Sequence, residues 1–307
     1  MNKGDRLQLE GQLREAIRQA EQDEIEQRIR NHKLKVTRFE RAEQFRKTTR
    51  PPPLEFLAIR DSWFDYPLDG NYLVPPYSFG IVADQNLGSM GTPPPLILSL
   101  AKAGQASTAV LSWQNQEKIV ETLTDPSHWA SGQADGILVS AGGDDIAGDQ
   151  LAIYLTYGGG STTASTRFDG VLDLVTASYA ALFALRDAFA PGTPIFGHCY
   201  DYALPNGIPA AFILGPWMKP SFDFALYGFP DAQKVVMDMI GKFRARLTLL
   251  ASNTANNFHL VDTTGIVKPN NTYPDGWANE LHPYTHGFYD AAGKFLVSLR
   301  AYFPGRI

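Results

Sequence analysis

Cysteine is nearly absent: Cys199 is the only one in 307 residues, which excludes an internal disulfide framework and a cysteine-built zinc site. Charge is sparse at 19%, yet the chain is 44% hydrophobic and carries 18 Phe, 13 Tyr and 5 Trp, a composition that excludes a disordered polymer. No uninterrupted apolar run reaches the roughly 18 residues of a membrane helix, so no membrane span is expected. The start of the chain lacks the basic residues, apolar run and small-residue cleavage site of a secretory signal, which sets the expectation of a cytoplasmic protein. A net charge of -5 gives no general attraction to nucleic acid. The Gly-x-Ser-x-Gly elbow of α/β-hydrolases is missing. Gly158-Gly159-Gly160-Ser161 is not followed by the Lys-Ser/Thr of a phosphate cradle and reads as a loop.

What charge there is gathers at one end. The first 50 residues hold 13 Lys/Arg and 9 Asp/Glu, a net +4, and the remaining 257 hold 14 and 23, a net -9. In the charged segment Leu9, Leu13, Ile17, Ala20, Ile25 and Ile29 recur at steps of three to five, the mark of one or two amphipathic helices. Such a helical arm packs lightly on the body or, through its apolar stripe, mediates self-association. Pro51-Pro52-Pro53 ends the helix, dividing the chain into an arm of residues 1–50 and a body of residues 51–307.

In the body, short apolar runs alternate with helical patterns. Leu54–Ile59, Phe79–Ala83, Thr108–Trp113, Gly136–Ser140, Pro194–Cys199 and Phe258–Asp262 read as strands, and 94–103, 115–123, 171–190, 231–253 and 284–302 as helices. The run from Val171 to Ala190 is apolar nearly all round and predicts a buried helix. The alternation predicts a three-layer α/β/α sandwich around a parallel sheet of about five strands. In such sheets the site lies beyond the carboxyl ends of the strands.

The residues at those ends are polar. Asp61-Ser62-Trp63-Phe64 follows the first strand, Gly142-Gly143-Asp144-Asp145 follows Gly136–Ser140, and Asn279-Glu280-Leu281-His282-Pro283 precedes the last helix. A serine hydroxyl needs a base to take its proton, and a histidine brought to the same sheet edge supplies one. With Asn86-Leu87-Gly88-Ser89-Met90-Gly91, these blocks resemble, in order, those of the SGNH (GDSL-type) hydrolases, over residues 54–304. The resemblance implies Ser62 as nucleophile and His282 as base. It implies an oxyanion hole from the backbone N–H groups of Ser62 and Gly91, with Gly88 as the competing glycine, and from position 144. It implies hydrolysis of a carboxylic ester, a small-molecule substrate, with no cofactor and no metal.

The chain departs from that pattern at three positions. Arg60 stands where the family has glycine. Asp144 replaces the usual asparagine, and an ionised carboxylate cannot donate to an oxyanion, although a protonated one can. Asn279 replaces the usual aspartate, leaving Glu280 or Asp275 as candidate third members beside an Asn-oriented dyad. Trp63, Phe64 and Trp217 are the expected pocket walls, with Tyr66 a further aromatic beside the nucleophile. Two other readings stay open: a weakly active or non-catalytic relative that binds carbohydrate or a protein, and a metal-dependent phosphoesterase using Asp144, Asp145 and Asp149. His282 and His286, four residues apart, are a weaker metal pair, and His198-Cys199-Tyr200-Asp201-Tyr202 ends a strand where it could line the pocket.

Overall fold

A computed structural model describes all residues except 1–2, 45–50, 70–71, 74–77, 102–112, 149, 164 and 211–213. Five strands form one parallel sheet: β1 (Glu55–Arg60), β4 (Leu96–Ser99), β5 (Gly136–Ser140), β6 (Ile195–His198) and β7 (Phe258–Val261), in the order β4-β1-β5-β6-β7. A two-stranded hairpin, β2 (Leu68–Asp69) and β3 (Tyr72–Leu73), lies outside it. The central strands are buried on both faces: every residue of β5 and of β6 is buried, while the edge strands β4 and β7 are only partly so. Side chains alternate across the sheet. Phe258 meets Tyr179 and Phe183 on one face, while Phe196 and His259 stack together on the other and meet Tyr302.

The helices are α1 (Lys3–Gln44), α2 (Trp113–Thr124), α3 (Gly143–Ile146), α4 (Leu151–Tyr154), α5 (Ser165–Phe189), α6 (Lys219–Phe224), α7 (Phe229–Ser252) and α8 (Thr285–Tyr302). Helices α2, α5 and α7 lie side by side on the Phe258 face, and α8 covers the Phe196 face through Phe295 and its carboxyl-terminal turn. Large rings fill the interior, so truncating one such as Phe243 is expected to cost about 3–5 kcal/mol.

Several elements differ from the sequence expectation. Among the described residues of 94–103, Leu96–Ser99 forms strand β4 rather than a helix, and it pairs with Glu55–Ala58 at the sheet edge. Phe79–Ala83 is a turn, not a strand, because Ile81 N–H bonds back to Trp63 O, and a side chain at Gly80 would collide with Phe64 O at 2.2 Å. The expected strand Thr108–Trp113 falls outside the described residues up to 112, and Trp113 opens α2. Helix α5 is buried on one face only. Phe168, Leu172, Val175, Tyr179 and Leu182 point inward, while Ala177, Ala180, Ala181 and Ala184 are exposed; small side chains made that outer face read as core. By length and composition α5 could cross a membrane, but here its inner face packs on the sheet.

The arm is one helix, largely polar. Its body contacts concentrate near residues 28–36, where His32 and Val36 are buried and Ile29 packs against the core. Arg28 donates to Ala101 O at 2.7 Å and pairs with Asp65 at 2.6 Å, Lys33 reaches Ser127 Oγ at 2.7 Å, and Lys35 reaches Asp84 at 2.5 Å. The docked part is thus held by long polar side chains more than by an apolar stripe.

Candidate active site

In the order β4-β1-β5-β6-β7, the connection leaving β1 runs to β4 and the one leaving β5 runs to β6, toward opposite sheet edges, so the carboxyl ends of β1 and β5 adjoin a crevice. Ser62 follows β1 and Asp144 follows β5. The third contribution is the loop before α8, which folds back on itself through Tyr284 N–H to Gly276 O and Ala278 N–H to His282 O, both 3.0 Å. That turn carries His282 to Ser62.

His282 Nε2 lies 2.7 Å from Ser62 Oγ, and its Nδ1 lies 3.0 Å from Asn279 Oδ1. The same Oδ1 accepts the N–H groups of Leu281 (3.1 Å) and His282 (2.9 Å), while Asn279 Nδ2 donates to the Tyr66 hydroxyl at 2.8 Å. The amide is therefore fixed with its oxygen toward the imidazole. His282 Nδ1 must carry the proton and Nε2 is left to accept from Ser62. Tyr66 stacks on the imidazole at 4.1 Å, and Trp217 meets it edge-on at 5.7 Å. Burial pushes His282 down to about 3, so it is a neutral base across the ordinary range.

Asp61 builds the turn that presents Ser62. Its carboxylate accepts Trp63 N–H at 3.0 Å and the Ser140 hydroxyl at 2.5 Å, and also accepts the Tyr200 hydroxyl. Tyr200 is itself held at φ 61, and Gly143 leaves room for its ring, since a side chain there would meet it at 2.8 Å. Burial and the nearby Asp144 raise the Asp61 carboxyl above the ordinary carboxylate range.

Ser62, Asp144 and His282 wall one partly open cleft of about 510 Å³, mouth included, with Trp63, Tyr200 and Asp201 and a floor of Ile146, Met218, Val236, Met239 and Ile240. Asp144 Oδ2 is buried with no hydrogen-bond partner among the described residues. Burial, then repulsion from Asp145, lifts its carboxyl to about 6.

Other expectations are corrected. Gly91 sits five residues before β4, at the amino edge of the sheet, where an added side chain would strike Ile307 at 2.7 Å; it is not beside Ser62. Gly88 is no substitute, because its N–H bonds to Ala83 O at 3.2 Å.

Glu280 faces away from His282: it accepts the N–H groups of Gly207, Trp217, Met218 and Lys219 at 2.5–3.0 Å and so pins the segment bearing Trp217. Asp275 is on the surface with Lys268 and His286, so His286 does not join His282. Phe64 is fully buried, packed on His198 and Phe295, and is core rather than pocket wall. Trp63 lines the cleft, as expected, and donates to Leu281 O at 3.1 Å. Trp217 bears on the base rather than on the cleft floor. The side chain of Arg60 and all of Asp149 lie outside the described residues, among which no three His, Cys, Asp or Glu side chains are grouped to hold a metal.

Sequence reasoning missed the Tyr66 clamp and the Asp61–Ser140–His198–Tyr200 web. The available signal was a polar residue closing each of two buried strands, Ser140 in β5 and His198 in β6.

No family model matches the chain, and no curated protein matches it in sequence. Among solved structures, a lipase from a goat rumen metagenome superposes with a TM-score of 0.50 at 17% identity, covering 80% of this chain and 97% of that one. The chain shares that lipase's fold, a parallel five-stranded sheet between layers of helices. Also similar are a carbohydrate acetylesterase from Sinorhizobium meliloti (TM-score 0.47, 12% identity, 81% and 100% covered) and a lipolytic G-D-S-L family protein from Veillonella parvula (0.43, 15%, 80% and 97%). At these identities the likeness is one of fold, and the chemistry must be argued from this chain's own side chains.

Proposed function

We propose that this protein hydrolyses carboxylic esters by acyl transfer through Ser62. The observation that carries the reading is the 2.7 Å approach of His282 Nε2 to Ser62 Oγ, with Nδ1 turned to Asn279. As Ser62 Oγ attacks the carbonyl carbon, its proton passes to Nε2. Collapse of the tetrahedral adduct expels the alcohol, which takes that proton, and water then releases the acid by the same route. Asn279 orients the ring without balancing its transient charge, and Tyr66 and Trp217 hold it in plane.

The cleft favours the substrate class: an apolar floor beside one serine suits a short or medium apolar acyl group better than a phosphate or a sugar. The test is hydrolysis of p-nitrophenyl esters of increasing acyl length by the parent and by Ser62→Ala. The parent is expected to turn over the shorter esters and the variant to lose that activity. Equal activity in both would refute the serine mechanism.

A further inference from the structure

We propose that Asp144, as a neutral carboxylic acid, donates its O–H to the oxyanion formed at Ser62, so that this hydrolase works in acid and loses turnover as Asp144 ionises. The proposal rests on the serine reading above. Asp144 shares the cleft with Ser62 and His282, and its Oδ2 is buried without a partner among the described residues. A carboxylate in that position would lack donors and would oppose the charge developing on the substrate. A carboxylic acid needs only an acceptor, which the oxyanion supplies.

The groups facing Asp144 do not stabilise its charge. Its own short helix contributes Asp145; the end of β1 contributes Asp61 and Ser62; the segment after β6 contributes Tyr200 and Asp201. The loop before α8 brings neutral His282, and α7 brings only apolar side chains. Gln150 binds the Asp144 backbone carbonyl, not its carboxyl. Among the described residues no Lys or Arg lines the cleft. Asp61, itself pushed up to about 7, competes for the proton, but three donors meet its carboxylate and favour its ionised form, whereas Asp144 Oδ2 meets none among the described residues; on that geometry the proton the pair retains is assigned to Asp144.

The histidine side matches. With an amide rather than a carboxylate beside it, and with burial holding it down to about 3, His282 stays an unprotonated base under acid conditions in which Asp144 keeps its proton. During attack the Ser62 proton goes to His282 Nε2, the carbonyl oxygen becomes the oxyanion, and the Asp144 O–H bridges to it without leaving Asp144. When the adduct collapses, the proton on His282 goes to the departing alkoxide, and Asp144 is unchanged.

The experiment is the pH profile of kcat/KM on a short-chain p-nitrophenyl ester, read where nitrophenol and nitrophenolate absorb equally, for parent, Asp144→Asn and Ser62→Ala. The parent is expected to fall about tenfold per pH unit above its break. Asp144→Asn, an amide donor at every pH, should stay level and exceed the parent by about 100-fold at pH 8. A parent that keeps full activity to pH 8, or an Asn variant with the same falling limb, overturns the proposal. Ser62→Ala as active as the parent defeats the serine reading instead. If none turns over, the carboxyl ¹³C titration of Asp144, assigned by difference against Asp144→Asn, decides: protonation persisting well above the ordinary carboxylate range supports the proposal, and an ordinary midpoint refutes it.

Discussion

Two serine–histidine pairs lie close together in this molecule, Ser62 with His282 and Ser140 with His198, each at 2.7 Å. Both imidazoles are buried, and burial lowers both to about 3. What separates them is the direction of the protons. His198 Nδ1 accepts Tyr200 N–H at 3.2 Å, so its Nε2 carries the hydrogen and donates to Ser140, whose own hydroxyl is given to Asp61. His282 has the opposite tautomer, set by Asn279 Oδ1, and its bare Nε2 receives the Ser62 proton. Ser140 is fully enclosed, while Ser62 borders the cleft. Proximity alone therefore does not make a nucleophile; the second nitrogen's partner and access to substrate decide it.

The largest expected effect follows from removing the serine that borders the cleft. Ser62→Ala should lower turnover by roughly 1,000-fold or more while leaving the melting temperature nearly unchanged, measured by ester hydrolysis beside thermal unfolding. Next, Asn279→Ala should lower kcat about 100-fold or more, since the ring loses the acceptor that selects its tautomer. Asn279→Asp should instead move the acid edge of the pH profile upward, because a carboxylate beside Nδ1 favours the imidazolium.

Ser140→Ala sharpens the contrast from the other side. It leaves Asp61 short of a donor and His198 Nε2 short of an acceptor, so unfolding in denaturant should show a loss of about 1–3 kcal/mol, with the Ser62 nucleophile intact. The smallest effect concerns pH and stability. Asp144 is raised when folded, so it contributes stability that is full below its unfolded value and lost as pH rises through about 6. Asp144→Asn should therefore exceed the parent by about 1–2 kcal/mol at neutral pH, with the gap closing toward pH 4. His198 and His282 act in the reverse sense, losing stability as pH falls below their unfolded value toward about 3, in both proteins alike.

The parallel sheet was legible because β1, β5, β6 and β7 are short, mainly apolar runs closed by polar residues. Strand β4 was not, since three apolar residues and a serine at an edge carry no period that separates strand from helix. Ser62, His282 and the orienting Asn279 were readable as motif residues at strand and loop ends. Glu280 was misread because an acidic residue beside a histidine looks like its partner, whereas the turn at 279–282 sends the two side chains to opposite sides. Gly91 was misplaced because a glycine-rich block says nothing about which edge of the sheet it occupies. Tyr66 and the Ser140–His198 pair are contacts across long sequence separations, which no local spacing encodes.

The most direct measurement is labelling with a fluorophosphonate followed by proteolysis and mass spectrometry of the adduct. The account predicts stoichiometric modification at Ser62, none at Ser140, and loss of labelling in His282→Ala. Modification at another residue, or undiminished labelling of Ser62 without His282, would contradict it.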